Sequence, residues 1–204
     1  GAIACITVVG VSLSLSSPLI SLLMAEHGYS GGVIGLNAGI GSLATLLFGP
    51  FVPRLALRMG IRSLLFAMLV LGAITIAAFP AFDSLAPWFI LRFLFGGAIG
   101  TLFVLSEFWI NAASPAHRRG LVMGAYATAL SAGFAGGPVL LTLAGGPVSG
   151  LFYLGALIFI VAMLPILMAG GNAPPLHGEA TTSIQSLILL APIATMAALV
   201  YGAI

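Results

Sequence analysis

The residue best placed to do chemistry in this sequence is Arg92, because it stands inside a run, 86–110, that is otherwise almost wholly apolar. Arg92, Gly96, Gly100, Phe103 and Glu107 follow at steps of 4, 4, 3 and 4, which puts them on one stripe of a helix. An arginine inside a membrane span costs roughly 2.5–3.5 kcal/mol at the centre and usually faces protein or a water-filled cavity. At 1.5 Å per residue, Arg92 is about 9 Å into its span. It could snorkel outward, towards Asp83. Its stripe is that of the small packing residues, however, so it is expected to point at neighbouring helices and to sense charge in or near a cavity.

Glu107 lies about 31 Å along the same helix, near its far end. Arg58 and the pair Arg118 and Arg119 are its candidate partners. A surface ion pair is worth little. On helix ends that separate during a conformational cycle it would act as a latch; otherwise Glu107 is a solvated interfacial carboxylate. Ser12, Ser14, Ser16 and Ser17 crowd the first apolar run ahead of Pro18, which frees a helix carbonyl. Bonding back to the helix is favoured there over contact with a substrate.

Enzyme patterns find little support. Gly28-Tyr29-Ser30-Gly31-Gly32 fits GxSxG, but hydrolysis needs a base beside the serine. His27, His117 and His177 all lie between apolar runs, and only His27 is on the side of Ser30. Ser30 is more simply the N-cap of the run that follows. There is no HExxH, CxxC pair or phosphate loop, and the single cysteine, Cys5, excludes an intrachain disulfide. The expectation is no catalytic residue, no metal and no cofactor.

The elements that must carry these residues are membrane helices. Only 5% of the 204 residues are charged and mean hydropathy is +1.25, far too little charge for a water-facing surface. Apolar runs of spanning length occupy 3–24, 32–52, 61–82, 86–110, 120–144, 148–168 and 184–204. Five of the six basic residues fall in two gaps: Arg54, Arg58 and Arg62 in PRLALRMGIR, and Arg118 and Arg119 in SPAHRRG. By the positive-inside rule these gaps, and the N-terminus, are cytoplasmic. The net charge of +2 is therefore an orientation signal and gives no support to nucleic-acid binding.

The stretch 169–183, AGGNAPPLHGEATTS, has the Gly and Pro punctuation of a linker. The expected organisation is a six-helix bundle over 1–168, a cytoplasmic linker over 169–183, and the first helix of a second bundle over 184–204. Gly1 in place of an initiator Met, and Ile204 at the end of a span, suggest part of a longer protein. Small residues four apart mark packing faces. They are Gly31, Gly35 and Gly39 in the second run, Gly96 and Gly100 in the fourth, and Gly120, Gly124, Thr128, Ala132 and Gly136 in the fifth.

Taken together, the residues resemble the major facilitator superfamily, and within it a YcaD-like bacterial branch. The family motif GxLADRxGRR aligns with residues 53–62, where Leu55, Ala56, Arg58, Gly60 and Arg62 match. Pro53 replaces the first Gly and Leu57 the Asp. Arg92 with Gly96 resembles the RxxxG motif that family members often link to proton coupling. Gly133, Gly137 and Pro138 resemble GxxxGP of the fifth helix, and the trailing Gly-Gly is Leu141-Thr142 here.

The resemblance implies an all-α membrane protein with a bundle of 3+3 inverted repeats plus a seventh transmembrane helix. It further implies a secondary transporter working by alternating access in the bacterial inner membrane, as a monomer. Arg58, Gly60, Arg62, Glu107, Arg118 and Arg119 would form a cytoplasmic gate, Arg92 would serve the cavity and proton coupling, and Gly96, Gly100, Gly133, Gly137 and Pro138 would serve packing and motion. Proton-driven efflux of a small organic solute is the first expectation and uptake the close alternative. The rival classes are a membrane scaffold and an intramembrane enzyme.

Overall fold

The computed structural model describes residues 2–143 and 149–168; the expected linker and seventh span lie outside the described residues. Seven α-helices follow in order: α1 Ala2–Glu26, α2 Gly31–Phe48, α3 Val52–Met59, α4 Ile61–Ala78, α5 Leu85–Ala113, α6 Arg119–Leu143 and α7 Ser149–Met168. Among the described residues there is no strand, as expected where lipid leaves the backbone only itself to bond with. Among the described residues five stretches are long and apolar enough to cross a membrane, and α7, at 20 residues, is a further apolar helix.

The first arginine-bearing gap is not a loop. A 3-10 turn, Gly49–Phe51, carries α2 directly into the short helix α3. Pro50 and Pro53 sit at the starts of these two elements, where a missing N–H costs nothing. Val52 and Ala56 of α3 are buried one turn apart, while Arg54 and Arg58 are exposed. The chain then reverses at Gly60, with φ +80° and ψ 147°. This region is open essentially to glycine alone. Gly60→Ala is expected to cost about 1–3 kcal/mol, read as a lower unfolding midpoint of the detergent-purified protein. An unchanged midpoint would mean that the turn can relax.

The helices pack as three pairs: α1 with α6, α2 with α5, and α4 with α7. Two of the pairs use the same device. On α2 and α5, Gly41 faces Gly96 and Thr45 faces Gly100; a Cβ on Gly96 would lie 2.7 Å from Gly41 Cα, and one on Gly100 2.6 Å from Thr45 Cγ2. On α1 and α6, Gly10 faces Gly133 and Ser14 faces Gly137. In both pairs a hydroxyl one turn beyond the glycine donates across the interface: Thr45 Oγ1 to the Gly96 carbonyl at 2.9 Å, and Ser14 Oγ to the Gly133 carbonyl at 3.3 Å. With no hydrophobic drive between helices in lipid, close backbone approach and such bonds supply the association. The matching order of the contacts also makes α2 parallel to α5, and α1 parallel to α6.

The third pair is antiparallel and filled by aromatics. Phe159 packs on Gly72, Gly155 meets Ile76, and the rings of Phe79 and Phe152 stack 6.1 Å apart. The core where the pairs meet contains Leu64, Leu69, Trp88, Phe95 and Leu102.

The small-residue faces split in two. Gly96 and Gly100 pack as expected. Gly31, Gly35 and Gly39 have open space around the position of a Cβ, as do Gly120 and Gly124. The packing face of α2 is instead that of the buried residues Asn37, Gly41 and Ala44. Accordingly, 17% of the α2 and α6 spans is buried, against 50% for α1 and α5.

Candidate functional site

Helix α5 starts after Ser84, whose extended backbone forms the N-cap position, and brings Arg92 in two turns later. Because Gly96 and Gly100 clamp α5 to α2 one and two turns below, the Arg92 side chain is held between α1, α2 and α5. It is only 8% exposed. Gly41 leaves room for it, since a Cβ there would lie 3.1 Å from Arg92 Nε. One nitrogen, Nη2, donates to Ser17 Oγ at 3.4 Å, while Nε and Nη1 have no hydrogen-bond partner.

A partly open cavity of about 90 Å³ has Arg92 in its wall. Ser16 of α1, Ser42 and Thr45 of α2, and Phe95 of α5 line it together with Arg92. Buried donors without partners are costly, by about 1–3 kcal/mol each and more when charged. Such an arrangement can recognise a negatively charged group.

The alternative of an outward-reaching Arg92 does not hold. Asp83 lies 3.5 Å from His27 Nε2, and the opposite ring nitrogen, Nδ1, is 2.8 Å from the Leu23 carbonyl. The imidazole rests edge-on against Trp88 with centroids 5.0 Å apart, and the indole Nε1 donates to the Phe79 carbonyl at 3.2 Å. The turn after α1 and the turn after α4 are thereby tied at one end of the bundle.

The arginine-bearing connections lie at the other end. Because α2 and α5 run parallel, their C-terminal ends, with Arg54, Arg58 and Gly60 on one and Arg118 and Arg119 on the other, share a side. The expected gate residues are brought to one end of the bundle but not joined. Among the described residues the carboxylate found within 4 Å of a basic side chain is Asp83, beside His27, so Glu107 meets neither Arg58 nor Arg118 nor Arg119 within 4 Å. Glu107 is half-buried, beside the buried ring of Tyr126 on α6. Arg62 makes a different contact: Nη2 donates to the Ile166 carbonyl at 2.7 Å and to the Leu167 carbonyl at 3.3 Å. Both acceptors belong to α7, so Arg62 joins α4 to α7.

The serines ahead of Pro18 divide. Ser14 bonds back to the Val11 carbonyl at 3.1 Å as well as across to α6, and the Ser17 carbonyl accepts from Ser21, beyond the proline, at 2.9 Å. Ser17 accepts from Arg92, and buried Ser12 has no partner for its Oγ. Ser30 does occupy the N-cap position of α2, without a capping bond from its side chain. Sequence reasoning passed over Gly10, Gly41 and Thr45. The four-residue spacing of Gly10 with Ser14, and of Gly41 with Thr45, is the signal that would have found them.

The sequence matches the family model of the Major Facilitator Superfamily over residues 2–204. It is 25% identical over 138 residues to YfkF of Bacillus subtilis (strain 168), described as an uncharacterized MFS-type transporter; the match covers 68% of this chain and 35% of that protein. The chain thus spans about a third of the length of the curated relative it matches. A match along nearly all its length, on a helical bundle with a buried arginine clamped by glycines, shows that this chain belongs to the Major Facilitator Superfamily.

Proposed function

We propose that the complete protein is a secondary transporter that moves a small organic solute across the bacterial inner membrane by alternating access. The observation that carries this reading is Arg92, buried within a membrane bundle of this family beside a hydroxyl-lined cavity. A charge so placed is costly to the fold and is kept in membrane proteins chiefly on solute or ion pathways. Two further features support it. The exposed small-residue faces of α2 and α6 offer close-packing surfaces to a second bundle. The like pairing of α1 with α6 and α2 with α5 supports an inverted 3+3 repeat, the arrangement on which alternating access is built.

The direction is export, driven by protons, and the likeness of Arg92 and Gly96 to the RxxxG motif supports the coupling. The arginines of one end, with Glu107, form the cytoplasmic gate in this reading, and the N-terminus is cytoplasmic. The test is reconstitution of the complete protein in liposomes under an imposed pH gradient. Solute flux and internal pH are followed together across a compound library. Arg92→Ala is expected to lower the flux at least tenfold while the protein inserts normally. Equal flux from the variant would remove Arg92 from the pathway, and flux indifferent to the gradient would remove the proton.

A further inference from the structure

We propose that the Arg92 pocket binds the carboxylate of a short-chain monocarboxylic acid, making the solute of this site an organic anion. The inference rests on the pocket being a solute site, and it names the class of solute.

Charge bookkeeping comes first. The chain holds four carboxylates, Glu26, Asp83, Glu107 and Glu179. Asp83 is engaged by His27 at 3.5 Å, neither Glu26 nor Glu107 is within ion-pairing reach of Arg92, and Glu179 is outside the described residues. The described bundle therefore gives this buried guanidinium no counter-charge. Its hydrogen bonding is equally incomplete, since the single N–H of Nε and both of Nη1 are unmatched.

Geometry then favours a carboxylate. A guanidinium presents planar pairs of N–H groups whose spacing matches two carboxylate oxygens, and such bidentate pairs are among the strongest hydrogen-bonded contacts. Beside it stand the hydroxyls of Ser16 and Ser42, able to donate to the same anion, whereas the Thr45 hydroxyl already donates to the Gly96 carbonyl. The rest of the wall is apolar, from Leu13, Phe95 and Ile99, and suits a short hydrocarbon tail. Size sets the upper limit. At about 15 Å³ for each water-sized group, a cavity of about 90 Å³ admits a carboxylate and a few carbons.

Thermal unfolding of the complete protein in detergent tests this, with sodium butyrate as the probe. Butyramide supplies the same shape without the charge, and sodium chloride at equal ionic strength supplies an anion without the fork. Butyrate is expected to raise the unfolding midpoint saturably by several degrees, and the two controls to leave it in place. Arg92→Gln should abolish the shift. Arg92→Lys, which keeps the charge and loses the planar fork, should raise the half-saturating concentration at least tenfold. If Arg92→Gln does not fold, Gly41→Ala serves instead, because its Cβ would crowd Arg92 Nε at 3.1 Å and should weaken butyrate binding several-fold with the charge intact.

No shift with butyrate, a shift that survives Arg92→Gln, or an equal shift with chloride or butyramide would overturn the assignment. Flux of a neutral or cationic solute in liposomes without butyrate binding would remove only the anion. Butyrate binding by a protein inert in liposomes would remove only the transport.

Discussion

Gly96→Val is expected to leave no correctly folded protein in detergent, while Gly35→Val, at a glycine of the same type in the neighbouring span, is expected to leave the described bundle folded. The two positions look alike in sequence and differ only in what lies opposite. A Cβ on Gly96 would enter the space of Gly41, 2.7 Å from its Cα and closer still to its carbonyl oxygen. Nothing there can rotate away, because the obstacle is backbone. Helices α2 and α5 would have to separate, breaking the 2.9 Å bond from Thr45 to the Gly96 carbonyl and unseating Arg92. Overpacking within a core costs about 1–3 kcal/mol where side chains can adjust, and this contact lies above that range. Gly133→Val should fail in the same way on α1, where its Cβ would meet the Thr7 carbonyl oxygen at 2.6 Å.

The readout is the monodisperse fraction by size exclusion, followed by the unfolding midpoint. Folded Gly96→Val with a wild-type midpoint would show that the α2–α5 contact is not tight in solution. Loss of Gly35→Val in detergent would show that its open face is covered, as the second bundle proposed to pack there would do.

That contrast also marks where the sequence is legible. The six described spans follow from apolar length, although α2 and α4 each end four residues before the apolar run does, and the stripe of Arg92, Gly96 and Gly100 follows from its spacing. Both survive in the structure because a helix has a fixed period and a charge in lipid must turn inward. The face of α2 was not legible. Gly31, Gly35 and Gly39 carry the same small-residue spacing as Gly41 and Thr45, and in an apolar helix no polar face marks which stripe meets protein. A soluble helix gives that information through its charged side; a lipid-facing one does not. Helix α3 was hidden by its own arginines, which drew attention to the membrane side on which the segment lies and away from the 52–56 apolar spacing that seats it. The partner of Arg62 was beyond reach for another reason. It is a pair of carbonyls 104 and 105 residues away, and backbone acceptors carry no residue signature.

Arg62 is therefore the position at which the family motif and the geometry make different demands. As one of the arginines of the aligned motif it is proposed for a gate, but its guanidinium is bonded to two carbonyls of α7 within the same bundle. Charge-assisted bonds contribute about 1.5–3 kcal/mol. Arg62→Gln is expected to destabilise the protein by about 2–4 kcal/mol, seen as a clear fall in the unfolding midpoint. Arg58→Gln removes an exposed guanidinium without a hydrogen-bond partner among the described residues and should shift stability by less than about 0.5 kcal/mol. Transport divides the roles further. A variant that unfolds earlier yet carries solute at the wild-type rate at low temperature identifies Arg62 as a structural tie between α4 and α7. A variant with an unchanged midpoint and altered flux returns it to the gate. Since the donor sits on the second residue of α4 and the acceptors in the last turn of α7, the tie would make these two helices move as one body, with any gating motion left to the exposed Arg58 beside it.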